Sequence, residues 1–112
     1  MFRYTDNFHY YWFIIKTDGI ELGKKDCDDC TDSRDGQQFL VSKPTPNLKL
    51  NSWSNWKMAI YGNHIQVWVD EKKVIDYVDD AMSSKLASGN IAMYSENAYV
   101  QYDNINVTSN KK

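Results

Sequence analysis

Short runs rich in Val, Ile, Tyr, Phe and Trp recur along the chain, cut apart by Asp-Gly, Gly-Asn, Asn and Ser-Gly punctuation. β-branched and aromatic side chains suit a pleated, half-buried surface, and the residues between the runs favour tight turns. The pattern predicts strands near 2–5, 8–16, 19–24, 37–42, 55–61, 64–69, 73–77, 89–95 and 98–107. That is about nine short strands, the density of an antiparallel sandwich or barrel. Helical periodicity is scarce; its best candidate, Asp79 to Leu86, is short and polar. The expected class is all-β.

Turn chemistry sharpens this reading. Thr17-Asp18-Gly19 and Gly62-Asn63 each join two strands by a tight hairpin, and Asp70-Glu71-Lys72-Lys73 turns the chain toward Val74. The strands around the last two turns form a meander. Alternation puts Ile65, Val67 and Val69 on its core face and His64, Gln66 and Trp68 on the other. Phe8 to Ile15 does not alternate, so this strand sits centrally with both faces covered. Tyr11 and His9 share one of its faces; Tyr10 and Trp12 share the other.

Length and composition set the outer bounds. The 112 residues suit one domain spanning 1–112, and 42% apolar with 14% aromatic content supports a packed core rather than disorder. A net charge of −2 disfavours nucleic acid, whose phosphates call for a basic stripe. No apolar run approaches a membrane span, and the opening residues do not read as a signal peptide. Cys27 and Cys30 are too few for a zinc shell, and acidic neighbours would raise their thiol pKa. They therefore read as a local disulfide or two free thiols. Between Asp26 and Asp35, five Asp face only Arg34. Asp26, Asp28, Asp29 and Asp32 are candidate calcium ligands because hard cations want many oxygens, although the spacing is not an EF-hand. A solvated acidic loop is the competing reading. Asn106-Val107-Thr108 is a glycosylation sequon, a pattern common by chance.

The segments Trp53-Ser54-Asn55-Trp56-Lys57, Gly62 to Asp70, Gly89-Asn90-Ile91-Ala92-Met93-Tyr94 and Tyr102-Asp103-Asn104-Ile105-Asn106-Val107 together resemble the second half of a concanavalin A-like sandwich. Within that superfamily they are most similar to laminarinase-like and keto-disaccharide-hydrolase-type jelly rolls. The resemblance implies an antiparallel jelly-roll β-sandwich lacking the usual N-terminal strands. Open sheet edges would then favour self-association or completion by another chain. It also implies an extracellular or cell-surface setting, Trp53 and Trp56 capping the core, and Tyr102 within it. Tyr99 reads as a surface packer.

The superfamily points to sugars, and sugars are held by aromatic faces plus polar groups on hydroxyls. The Glu-x-Asp-x-x-Glu pattern of retaining laminarinase-type enzymes is absent from the sequence. The expected function is thus a non-catalytic module binding a polysaccharide or oligosaccharide on its concave sheet face. Arg3, His9, Tyr11, Trp12, Glu21 and Trp68 are the candidate contacts. Two rivals are a fragment of a glycoside-hydrolase-like domain and an assembly module acting through open sheet edges.

Overall fold

The computed structural model describes residues 1–16, 19–32, 35–44, 53–93, 102–103 and 105–108. Two antiparallel sheets account for nearly all its regular structure. One contains β1 (Phe2–Asp6), β2 (His9–Ile15), β3 (Ile20–Asp26) and β4 (Gln37–Lys43), and the other β5 (Trp56–Tyr61), β6 (His64–Val69) and β7 (Lys72–Val78). Strand order follows chain order in both sheets, so each is a meander. A 3-10 turn, Ser84–Leu86, is all that the polar stretch after β7 contributes in helix. The expected all-β antiparallel sandwich is the fold.

Turn residues act as their chemistry requires. Gly62 takes φ +59 at the first central position of the β5–β6 hairpin. The β6–β7 turn is more unusual: Asp70 and Glu71 both adopt positive φ, 49 and 71, without a glycine. The amide of Asn55 donates to the Asp70 carboxylate, and the Asp70 amide donates to the Asn55 carbonyl, which ties this turn to the start of β5. Thr17 and Asp18 lie outside the described residues; the Lys16 amide donates to the Gly19 carbonyl across that connection.

The pleat decides which side chains meet between the sheets. Tyr11 and Phe13 of β2, and Ile20 and Leu22 of β3, pack with Ile65 and Val67 of β6 and Ile75 of β7. Phe2 stacks on Tyr11 at a centroid distance of 5.3 Å, and Leu86 of the 3-10 turn seals the same cluster. β2 lies inside its sheet with residues 9–13 buried, as its two apolar faces demand.

One charged group also faces inward. Lys24 follows Ile20 and Leu22 on the inner face of β3, and its ammonium lies 2.9 Å from Asp79 Oδ2, with both side chains almost fully buried. Asp79 also accepts from the Tyr11 hydroxyl at 2.7 Å and the Ala81 amide at 3.1 Å. Lys24 donates again to the Ala81 carbonyl. Burial opposes charge on Asp79, but Lys24, Tyr11 and Ala81 outweigh it and hold the carboxyl below its ordinary value.

Several expectations change at the C-terminal side. Residues 89–95 provide one antiparallel bridge, Asn90 to Tyr4, and no strand through residue 93, with 94–95 outside the described residues. Residues 102–103 and 105–108 are not strand, and 98–101 and 104 lie outside the described residues, as does Tyr99. Tyr102 is 41% exposed rather than core, because no strand at its position presents it to a sheet interior. Trp53 is 69% exposed instead of capping the core, since it precedes β5 and no strand among the described residues faces it. Trp56 meets Phe13 edge-on at 5.6 Å from the rim of the core, yet stays 43% exposed.

Replacing Lys24 with Met should cost about 3–5 kcal/mol in urea unfolding, because Asp79 would keep a buried charge without its partner. Adding Asp79→Leu to that variant should recover part of the loss. The folded carboxyl of Asp79 sits below its unfolded value, so its contribution is complete above about pH 4. It should fade as pH falls further, and Lys24→Met should flatten that acid dependence.

Candidate functional site

On the outward face of the four-stranded sheet, the pleat places Tyr10, Trp12 and Ile14 of β2 opposite Lys25, Gly23 and Glu21 of β3. β4 continues two of those rows, with Gln37 beside Lys25 and Phe39 beside Gly23. The result is a connected run of rings. Tyr4 stacks on Tyr10 at 5.6 Å, Tyr10 meets Trp12 at 6.2 Å, and Trp12 meets Phe39 edge-on at 5.8 Å. Phe39 is 65% exposed and Tyr4 half-buried, whereas Tyr10 and Trp12, at 9% and 6%, are buried and underlie them.

Gly23 makes this arrangement possible. A Cβ there would fall 2.1 Å from the Trp12 ring, so the indole fills space that a side chain would otherwise occupy. The Trp12 Nε1 donates to Glu21 at 3.0 Å, and Lys16 donates to the other oxygen of that carboxylate at 3.0 Å. Trp12 is therefore oriented from below by glycine and at its edge by Glu21.

Beyond Tyr10 the face opens into a cleft of ≈ 350 Å³ lined by Met1, Tyr4, Asn7, Phe8, Tyr10 and Thr31. The Tyr4 hydroxyl donates to Asn7 at the rim. Burial and the nearby Tyr4 push the Tyr10 phenol upward, partly offset by a hydrogen bond with Gln37. Lys25, buried alongside, lies 4.9 Å from the Phe8 ring centroid and donates to the Asp32 carbonyl. The cleft thus joins flat aromatic surface to polar groups, the combination that suits a partly wet ligand.

The six residues singled out from sequence do not converge. Only Trp12 and Glu21 come together on this face. Tyr11 is fully buried between the sheets, turned there by the pleat that sends Tyr10 and Trp12 outward. Arg3 donates to the carbonyls of Gly62 and Leu86, so it links β1 to the opposite sheet and the 3-10 turn. His9 is buried, with Nδ1 2.8 Å from Asp6 and Nε2 2.8 Å from Asp28. Trp68 lies on the outer face of the other sheet, 5.0 Å beneath the Lys57 ammonium. Its neighbours there are Lys73, His64 and Gln66, which all contact Asp76 and, Lys73 foremost, draw its carboxyl well below the usual range. Tyr4, Tyr10 and Phe39, which share this face with Trp12, are not among the six. Their alternation was readable, but not that three separate strands would align them.

In the acidic loop, Cys27 and Cys30 form a disulfide, which decides between the two readings of that pair. Asp26 accepts from the hydroxyl and amide of Ser83, while Asp28 accepts from Lys85 and lies against His9. Lys85 first and His9 second hold the Asp28 carboxyl low. Asp29 is exposed. Among the described residues, no group of three or more His, Cys, Asp or Glu is placed to hold a metal ion. No helix of the described residues is long and apolar enough to cross a membrane.

Gly23→Ala should displace Trp12, lowering stability by about 1–3 kcal/mol and shifting tryptophan emission to the red. Calcium would have to take Asp26 and Asp28 from Ser83 and Lys85. Its addition should leave the melting temperature unchanged, whereas a rise abolished by Asp28→Asn with Asp29→Asn would establish a site.

No curated protein and no solved structure matches the chain. The family model of the 3-keto-alpha-glucoside-1,2-lyase-like domain matches residues 10–108, which include β3 to β7, all of β2 but its first residue, and most of the aromatic face. The chain belongs to this carbohydrate-related family, which is of the concanavalin A-like lectin/glucanase type.

Proposed function

We propose that the chain is a non-catalytic carbohydrate-binding module whose ligand lies along the outward face of the four-stranded sheet. The observation that carries this reading is the run Tyr4, Tyr10, Trp12 and Phe39, with its cleft beside the stacked tyrosines. The half-buried Tyr4 and the exposed Phe39 present ring surface that can stack on the C–H faces of pyranoses, backed by the buried Tyr10 and Trp12, while Asn7, Thr31 and Gln37 offer partners for hydroxyls. Family membership supports sugar as the ligand class. The Cys27–Cys30 disulfide is compatible with an oxidising, extracellular or cell-surface setting.

The family description favours a second reading, elimination across C1 and C2 of a 3-keto-α-glucoside. That reaction removes the C2 proton beside the ketone and expels the C1 substituent, so it needs a base facing the sugar. Glu21 is a carboxylate near the face, but both of its oxygens accept hydrogen bonds, from Trp12 and Lys16. Each oxygen keeps a second lone pair for a sugar hydroxyl, so this fixed carboxylate suits holding a ligand.

Tryptophan fluorescence titrated with a panel of soluble glycans, with and without calcium, tests the proposal. One glycan class should give a saturable shift. Phe39→Ala and Tyr4→Ala should weaken binding about tenfold or more, whereas Trp68→Ala should leave it intact. A flat response, or loss only in Trp68→Ala, would overturn the assignment to this face. Release of the aglycone from a 3-keto-α-glucoside would select the lyase reading.

A further inference from the structure

At the other end of the same strands lies a second cleft, of ≈ 270 Å³, lined in part by Lys16, Gly19, Glu21, Ser42 and Lys43. Its chemistry differs from the first. Glu21 is 8% exposed and lines this space, with its carboxylate held by Trp12 and Lys16. Ser42 stands directly opposite Glu21 across the β3–β4 ladder and is exposed. A fixed carboxylate accepts from sugar hydroxyls, while the ammonium and the Ser42 hydroxyl donate to their oxygens. The Lys43 ammonium donates to the Val74 carbonyl, and among the described residues it is Lys16 that pairs with the carboxylate.

We infer that this cleft is a second, hydroxyl-reading subsite, so the ligand is an oligosaccharide long enough to occupy both clefts. The inference rests on the proposed sugar-binding face and specifies its ligand. Register sets the distance. The Tyr10–Lys25 row and the Ile14–Glu21 row lie four residues apart along β2, roughly 14 Å at the usual strand rise. The Trp12–Gly23–Phe39 row lies between them on the same face. A single pyranose ring cannot touch both ends, whereas a chain of several can stack on the aromatic end and hydrogen-bond at the polar one. The Trp12–Glu21 bond couples the subsites, because a ligand drawing on Glu21 alters the environment of the indole.

Oligosaccharides of increasing length from the maltose, cellobiose and laminaribiose series, each begun from glucose, are titrated against the intact chain. In one series affinity should rise about tenfold or more with length and then level off. Lys16→Ala, and Ser42→Tyr, which fills the cleft, should remove that gain. Ser42→Tyr, which keeps the Lys16–Glu21–Trp12 contacts, should leave short-sugar affinity and its dependence on Phe39 unchanged. Binding that is independent of length, or long-chain affinity unaffected by both variants, would overturn the second subsite while the first stands. Absence of binding in every series would overturn the sugar-binding face and this inference together.

Discussion

The buried contact between Lys24 and Asp79 constrains the rest of the architecture. Desolvating two charges costs several kcal/mol per ion unless geometry and further hydrogen bonds compensate. Here the carboxylate is met by an ammonium, a phenol and an amide, and the ammonium has a second acceptor in the Ala81 carbonyl. Such a pair tolerates little displacement. It ties the end of β7 in one sheet to the inner face of β3 in the other. The Asn63 side chain adds to this by donating to the Asp79 carbonyl, which joins the β5–β6 turn to the same point.

That fixed docking decides what the opposite face of the four-stranded sheet displays. With Tyr11 and Lys24 held inward, the pleat turns Tyr10, Trp12 and Glu21 outward. Gly23 leaves room for the indole, and β4 adds Phe39 to the row. The makeup of this aromatic face therefore follows from an ion pair in the interior. The acidic loop is anchored separately: His9 and Lys85 hold Asp28, Ser83 holds Asp26, and the disulfide closes the segment between. Thr31, just past that disulfide, becomes one wall of the tyrosine-lined cleft.

Much of the fold was legible because its causes are local. Seven strands lie where the β-branched and aromatic runs predict them, and the meander from Trp56 to Val78 shows the expected split between Ile65, Val67 and Val69 and their outward neighbours. The two-sided apolar run of β2 correctly signalled an interior strand. The site was less legible because its causes are not local. Arg3 and His9 look like surface binders in a one-dimensional pattern, yet backbone carbonyls and carboxylates distant in sequence engage both. Trp53 and Tyr102 are apolar enough for a core, but burial needs a facing strand, which neither position has among the described residues.

What the sequence determined by itself was the set of strands, their turns, and the alternation dividing each strand into two faces. These rest on side-chain shape and backbone preference within a few residues. Only the tertiary structure decided which face of β2 became interior and which aromatic residues became neighbours. It also decided that Glu21 would border a cleft while Tyr11 would lie between the sheets. Those outcomes depend on cross-strand register and on where one sheet docks against the other. Partners such as Tyr11 and Asp79 come from distant parts of the chain, and no local pattern encodes their meeting.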